Sequence, residues 1–354
     1  MEYLKYQVIK NGIFVPKGLI SRQDIVYDKN NEIVLESCVL RGHKKSENVT
    51  NPPKYLPTEI EERIESIDEQ LLFLGQFMRE HYGHSLTEGV SRYWYLLDHS
   101  IKNWKIPTSS NPFTMKRLIK SILMPSSAHC KKAMLAFNIN YRDILCTQKP
   151  VRANRIIVPQ CSMYNRHKIY QKHLDVTIKI AKNIISPIKI KQDQTPVYLS
   201  RTKLNRSMKG HQGEKSVEAY CKKLGCNIVY PEQLSLKQQI VLINTHDIFI
   251  GCIGSAFHSL LFRFVDRKAT NIYLTEESNN PNYKLIDALM HNESYYIRCI
   301  SLATGNTKDR VVDSEKAISN LSNILQRIKV KAKDTRSRSW KHTLTGYGSK
   351  GKNA

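Results

Sequence analysis

Between residues 197 and 330, short apolar runs alternate with stretches of helical periodicity, and this alternation constrains the fold more than any other feature. Val197–Ser200, Asn227–Tyr230, Ile248–Ile250, Ile272–Leu274 and Tyr295–Ile300 are each three to six residues long, too short for helices and suited to buried strands. Gly213–Leu224, Ser235–Asn244, the residues after Ser255 and Tyr283–His291 carry helical spacing, and Ser314–Val330 reads as a last helix. Strands separated by helices of this length imply a parallel sheet covered on both faces, a Rossmann-like unit.

The centre of that unit is His246–Phe262. Gly251 and Gly254 are expected to bracket a tight turn, with Ser255 as the N-cap of a helix continued by Phe257, Leu260 and Leu261. Strand, glycine turn and helix N-terminus together present backbone N–H groups and a positive dipole end to phosphate, although an ordinary connection reads the same way. Tyr198-Leu199-Ser200-Arg201 closes the first strand, so Arg201 emerges at the carboxyl edge of the sheet, where open α/β sheets bind ligands. Its planar fork suits a diphosphate, with a surface salt bridge as the alternative. Glu214 is either a plain helix N-terminal acid or a group reaching the same crevice. His258, one turn into its helix, meets either a ligand or a core hydrogen bond.

The first half is less regular. Tyr6–Ile9 and Ile33–Leu35 read as short strands, 44–57 as an exposed loop, and Leu71–Leu74 as a compact strand. A helix beginning near Gly83 has an apolar face of Val90, Tyr93, Trp94 and Leu97. It puts His84 and Glu88, four apart, on one side near its start. A carboxylate holding an imidazole, or either group acting as base, is the chemistry that deprotonates a hydroxyl. Leu118–Met124 and Arg155–Pro159 read as strands, Ser126 or Ser127 as the cap of a helix to Phe137, and 166–184 as a long helix. Pro187 and the polar run after it mark a linker. The expected units are 1–185, 186–330 and a basic tail, 331–354.

At 354 residues and 41% hydrophobic the chain can bury a real core, and its formal charge of +24 points to an anionic partner. The eight cysteines form no Cys-x-x-Cys pair, and Cys221 and Cys226 lack a zinc spacing, so reduced thiols are expected. His81, His84 and Glu88 match no zinc signature either, and no metal or other cofactor is expected. There is no apolar leader and no run of membrane-spanning length, which predicts a soluble, cytoplasmic protein.

In order along the chain, Gly83-His84-Ser85-Leu86-Thr87-Glu88, Tyr198–Arg201, Gly225–Glu232 with Leu234–Ile240, and Gly251–Phe262 resemble glycosyltransferase family 61. The resemblance covers roughly residues 70 to 275. It implies an α/β, GT-B-like fold of two Rossmann-like domains facing a central cleft, and inverting transfer without an essential metal. The partners it implies are a nucleotide-sugar donor, held by the second domain, and a glycan or lipid-linked glycan acceptor. By position Arg201, Ser255, Glu214 and Gln239 correspond to donor contacts, with Gly254 and His258 in the same turn, and His84 and Glu88 to the acceptor side. Two departures bear on donor identity. Ile253 stands where eukaryotic members usually carry histidine, and His211-Gln212-Gly213-Glu214 replaces a common Asn-Glu pair.

The family includes capsule and lipopolysaccharide enzymes, which work on lipid-linked acceptors. The basic tail is accordingly expected to lie against the anionic inner face of the membrane, a peripheral association, rather than on nucleic acid. The competing readings are a nucleic-acid-binding protein on a Rossmann-like scaffold and a non-catalytic glycan-binding subunit. For the former, Arg92-Tyr93-Trp94-Tyr95 is the nearest thing to interleaved basic and aromatic residues.

Overall fold

Each strand of the second half alternates its side chains between two apolar cores, as a sheet covered on both sides requires. The computed structural model describes residues 3–39, 52–75, 82–109, 129–186, 188–204, 211–277, 280–303 and 310–328. In the second half, β6 (Val197–Leu199), β7 (Asn227–Val229), β8 (Ile248–Cys252), β9 (Thr270–Thr275) and β10 (Glu293–Arg298) form one sheet. All its pairings are parallel and its order is β7-β6-β8-β9-β10.

One face carries Tyr198, Ile250, Ile272, Leu274 and Ile297, packed on Val217 and Cys221 of α2 (Glu214–Lys223) and on Ala317, Leu321 and Leu325 of a helix over 314–328. The other carries Val197, Leu199, Phe249 and Tyr273 under α1 (Gln171–Ile185), α3 (Leu236–Thr245), α4 (Asn282–Leu289) and the 3-10 helix Ser255–Phe262. Local chemistry sets the helix ends. Ser235 and Gln238 form a reciprocal capping box at α3. Gly213, at φ 82°, turns the chain into α2, and Lys222 and Lys223 sit in the last turn, where the dipole favours cations.

The first half departs from the second Rossmann-like unit expected. Its sheet is mixed, with order β2-β1-β5-β3, and β4 also on β5. The strands are β1 (Tyr6–Val15), β2 (Ile25–Tyr27), β3 (Glu65–Ile67), β4 (Leu71–Leu72) and β5 (Val151–Pro159). β1 runs antiparallel to both β2 and β5, while β3 and β4 lie parallel to β5. Apolar runs announce strands but not their direction, and no crossover helix separates β1 from β2, so nothing enforces parallel pairing.

The two sheets share one core: Leu72, Leu74 and Ile157 of the first half pack into the cluster that holds Phe249, Leu260 and Tyr283 of the second. Arg92, Tyr93, Trp94 and Tyr95 are buried, so this stretch offers no face to nucleic-acid bases. Arg92 donates through Nε to Pro159 O at 3.1 Å and through Nη2 to Cys38 O at 3.1 Å. None of the eight cysteines is in a disulfide, and six are buried. No described helix is long and apolar enough to cross a membrane. The expected strand Leu118–Met124, the caps at Ser126 or Ser127, most of the 44–57 loop and the basic tail lie outside the described residues.

Candidate active site

The strand order places β6 and β8 side by side, with their onward connections leaving in opposite directions, and this is where an open α/β sheet leaves a crevice at its carboxyl edge. Arg201 follows β6 and Ile253-Gly254-Ser255 follows β8. Gly254 is extended, a conformation open to any residue, and a Cβ there would overlap the Arg201 guanidinium, which would have to swing aside. Arg201 therefore lies across the turn. Its backbone N–H donates to Glu214 Oε1 at 2.9 Å, and the Tyr198 hydroxyl donates to the same oxygen at 3.3 Å. Burial raises the Glu214 carboxyl above its ordinary range, opposed by the Arg201 backbone bond and guanidinium charge. Burial lowers His211 to about 4, assisted by Arg201 and Arg310.

Two expectations for this turn need correction. Gly251 is not part of it but lies inside β8, where a Cβ would come within 2.7 Å of Leu199 O on the neighbouring strand. Ser255 is not an N-cap; it is the first residue of a 3-10 helix, capped by Gly254 without a side-chain bond.

The facing wall comes from the first half. Tyr82–His84 is helical and Ser85–Gly89 widens into a π-helical turn, with Val90 N–H bonded to Ser85 O at 3.1 Å. Such turns recur at functional sites. His84 Nδ1 lies 3.4 Å from Glu88 Oε1, with the imidazole 36% exposed and the carboxylate 4%. The Asn165 amide also donates to Glu88 Oε1. Asn282 Nδ2 donates to Asn165 Oδ1 at 3.1 Å, and Asn282 Oδ1 accepts the Arg166 N–H at 2.6 Å. This chain of bonds fixes Arg166 in the left-handed region, at φ 65°, which side chains rarely adopt.

The walls touch. A Cβ on Gly83 would lie 2.7 Å from His258 Nδ1 and 3.1 Å from Ser255 Cβ. The Tyr82 hydroxyl is 2.8 Å from Ser259 Oγ, which donates to Gln239 Oε1 at 3.2 Å. Gln239 Nε2 donates in turn to Pro231 O at 3.1 Å and Leu234 O at 3.2 Å. His258 stacks on Tyr283 with ring centroids 5.0 Å apart and planes 5° from parallel. Between the walls opens a cavity of about 160 Å³, lined among others by His84, Asn165, Arg166, Ser255, His258 and Tyr283.

Of the residues singled out from sequence, His84, Ser255 and His258 line this cavity. Glu88 stands behind His84, Gly254 and Arg201 adjoin Ser255, Glu214 supports the Arg201 backbone, and Gln239 backs Ser259. Asn165, Arg166, Asn282 and Tyr283 were not anticipated. The signal for the first two was the polar turn Asn165–His167 between Met163–Tyr164 and Lys168–Ile169, which form a hairpin. The expected helix over 166–184 overran it, and α1 begins only at Gln171.

A family profile described as Glycosyltransferase 61 matches residues 82–273, more than half of the chain. No curated protein matches it. The matched span opens on Tyr82, at the start of the π-turn wall, and closes inside β9, so it takes in His84, Glu88, Asn165, Arg201, Ser255 and His258, while Asn282 and Tyr283 lie beyond it.

Proposed function

The chain belongs to glycosyltransferase family 61, and from that premise we propose that it moves a sugar from a nucleotide-sugar donor to a hydroxyl of a glycan acceptor, inverting the anomeric carbon. One observation carries this reading: the His84–Glu88 pair and the Ser255 turn under Arg201 stand on opposite walls of one cavity. At about 160 Å³ the cavity is smaller than the ~300–1,000 Å³ of whole-ligand sites. It suits the reacting sugar and acceptor hydroxyl, with the nucleotide extending along the carboxyl edge of the second sheet. The arrangement is GT-B-like in the sense that acceptor-side residues come from 1–185 and donor-side residues from 186–330.

In the transfer step the acceptor oxygen attacks the anomeric carbon, and the bond to the phosphate oxygen breaks with its electron pair leaving on the nucleoside diphosphate. The acceptor proton passes to the His84 imidazole, the member of the pair that lines the cavity. Glu88, held by Asn165, orients that ring and stabilises the imidazolium. The 3.4 Å separation is long for a hydrogen bond, and such contacts commonly tighten when substrate binds. Arg201 and the N–H groups at Ser255 face the charge that builds on the leaving diphosphate. All these groups belong to the chain itself, and the step needs no metal. The setting is synthesis of capsule, lipopolysaccharide or another cell-surface polysaccharide, with the basic residues after 330 against an anionic inner leaflet.

The test is a panel of nucleotide sugars read by thermal shift, followed by transfer assays with the stabilising donor and anomeric assignment of the product by NMR. One nucleotide class should stabilise the protein, and Arg201→Ala should remove both stabilisation and transfer. Near wild-type transfer by Arg201→Ala would overturn the donor-site assignment, and a retained anomeric configuration would overturn inversion.

A further inference from the structure

Beside the base of Arg201, three side chains of metal-ligand type converge from separate elements. His211 lies on the two-residue strand His211–Gln212, Glu214 opens α2, and Cys252 ends β8. One ligand atom from each lies within 4.8 Å of the others. Glu214 is fully buried and Cys252 is 3% exposed. Two buried side-chain atoms here, Glu214 Oε2 and His211 Nδ1, lie without a geometric hydrogen-bond partner, and burial, with the Glu214 carboxyl beside it, holds the Cys252 thiol well above its ordinary range. An orphaned buried polar atom is destabilising unless something in the site satisfies it. Glu214 Oε1, by contrast, is satisfied by Arg201 N and the Tyr198 hydroxyl, so the carboxylate is held in place through one oxygen while the other has no such partner.

We propose that His211, Glu214 and Cys252 form a zinc site. Imidazole nitrogen, carboxylate oxygen and thiolate sulfur are the ligand set of Zn²⁺, whereas Ca²⁺ and Mg²⁺ take oxygen and exclude sulfur. The carboxylate and the thiolate together balance the ion's two charges, and the thiol proton leaves to solvent on binding. Of the two arginines whose charge His211 feels, Arg310 is already neutralised by Glu276. Tetrahedral bonds of about 2.0–2.3 Å place ligand atoms about 3.3–3.8 Å from one another, a spacing that lies inside the 4.8 Å within which these three already converge. The fourth position is left to water. Sequence spacing is silent about this site because its ligands come from three elements that meet only in the fold. The ion ties the end of β8 to the start of α2 through the carboxylate that holds the Arg201 backbone. It braces that residue and takes no part in the transfer.

The full-length protein, stripped with a chelator and reloaded with Zn²⁺ or Co²⁺ alone, tests this. Mass spectrometric metal analysis should find one zinc per chain. The Co²⁺ form should show a thiolate-to-cobalt charge-transfer band that Cys252→Ser abolishes and Cys221→Ser leaves intact. His211→Ala should weaken zinc affinity at least tenfold, and it decides the matter if Cys252→Ser does not fold. Substoichiometric zinc, a cobalt spectrum without the thiolate band, or one-to-one binding that survives both variants would each overturn the proposal. None of these readouts depends on transferase activity.

Discussion

The two walls of the cavity are built by opposite means. On the Arg201 side, topology does the positioning: adjacent parallel strands end together, and the residues that follow them inherit a shared edge. On the Glu88 side no repeating geometry is available. A π-turn, a hairpin with Arg166 at φ 65° and the chain of side-chain bonds through Asn165 and Asn282 hold one carboxylate in place. The contrast follows from what each wall must present. Backbone N–H groups are aimed by secondary structure itself, whereas a buried ionisable side chain must be aimed by other side chains that also satisfy its hydrogen bonds.

The contrast can be broken or sharpened by measurement. The largest effect belongs to Glu88→Gln, which removes the charge that stabilises the imidazolium: kcat should fall by about 10²–10⁴ with the donor KM little changed. If the donor KM rose instead, in step with Arg201→Ala, the walls would not divide the labour as described.

Next comes acid stability. His173, fully buried behind the π-turn, has Nε2 3.0 Å from Leu86 O and Nδ1 2.9 Å from Ser162 Oγ, and burial pushes it down to about 4. The folded protein thus keeps this ring neutral while the unfolded chain protonates it near pH 6.5. Its contribution is complete above pH 6.5 and is lost as pH falls toward 4. Urea unfolding at pH 7 and pH 5 should differ by about 2 kcal/mol from this residue, and His173→Gln should flatten that slope. An unchanged slope would mean that the ring is not held neutral.

The smallest effect is on the regular side. Ser235→Ala removes half of the α3 capping box and should lower stability by about 1 kcal/mol, read as an earlier urea midpoint at constant m, with transfer intact. A loss of transfer would show that the Arg201 side also depends on individual side-chain bonds.

The legibility of the chain divides along the same line. The strands at Val197, Asn227, Ile248, Ile272 and Tyr295, and the cap at Ser235, were readable because their signals are local: an apolar run, or a serine three residues before a glutamine. The His84–Glu88 contact was readable for the same reason, as helical spacing. Arg201 beside Gly254 followed from the sheet rule, but that its guanidinium fills the space a Cβ at 254 would occupy is a matter of side-chain placement that spacing does not reveal. Asn165 and Asn282 could not be found by spacing, because they are 117 residues apart and act through each other. The mixed first sheet was equally hidden, since the longer of the two pairings of β1 is with a strand beyond residue 150.

That last pairing has a consequence in time. Ile13–Val15 can pair with β2 as soon as residue 27 has been made, but Tyr6–Lys10 pairs only with 155–159 of β5, which also anchors β3 and β4. At ~5–20 residues per second a ribosome needs roughly 8–30 s to go from Tyr6 to the end of that strand, and until then Tyr6–Lys10, β3 and β4 lack the strand they pair with. The strands of the second sheet, by contrast, emerge in one continuous stretch from 197 to 298. The half synthesised first is therefore the one whose edges stay open longest to chaperones and to neighbouring chains.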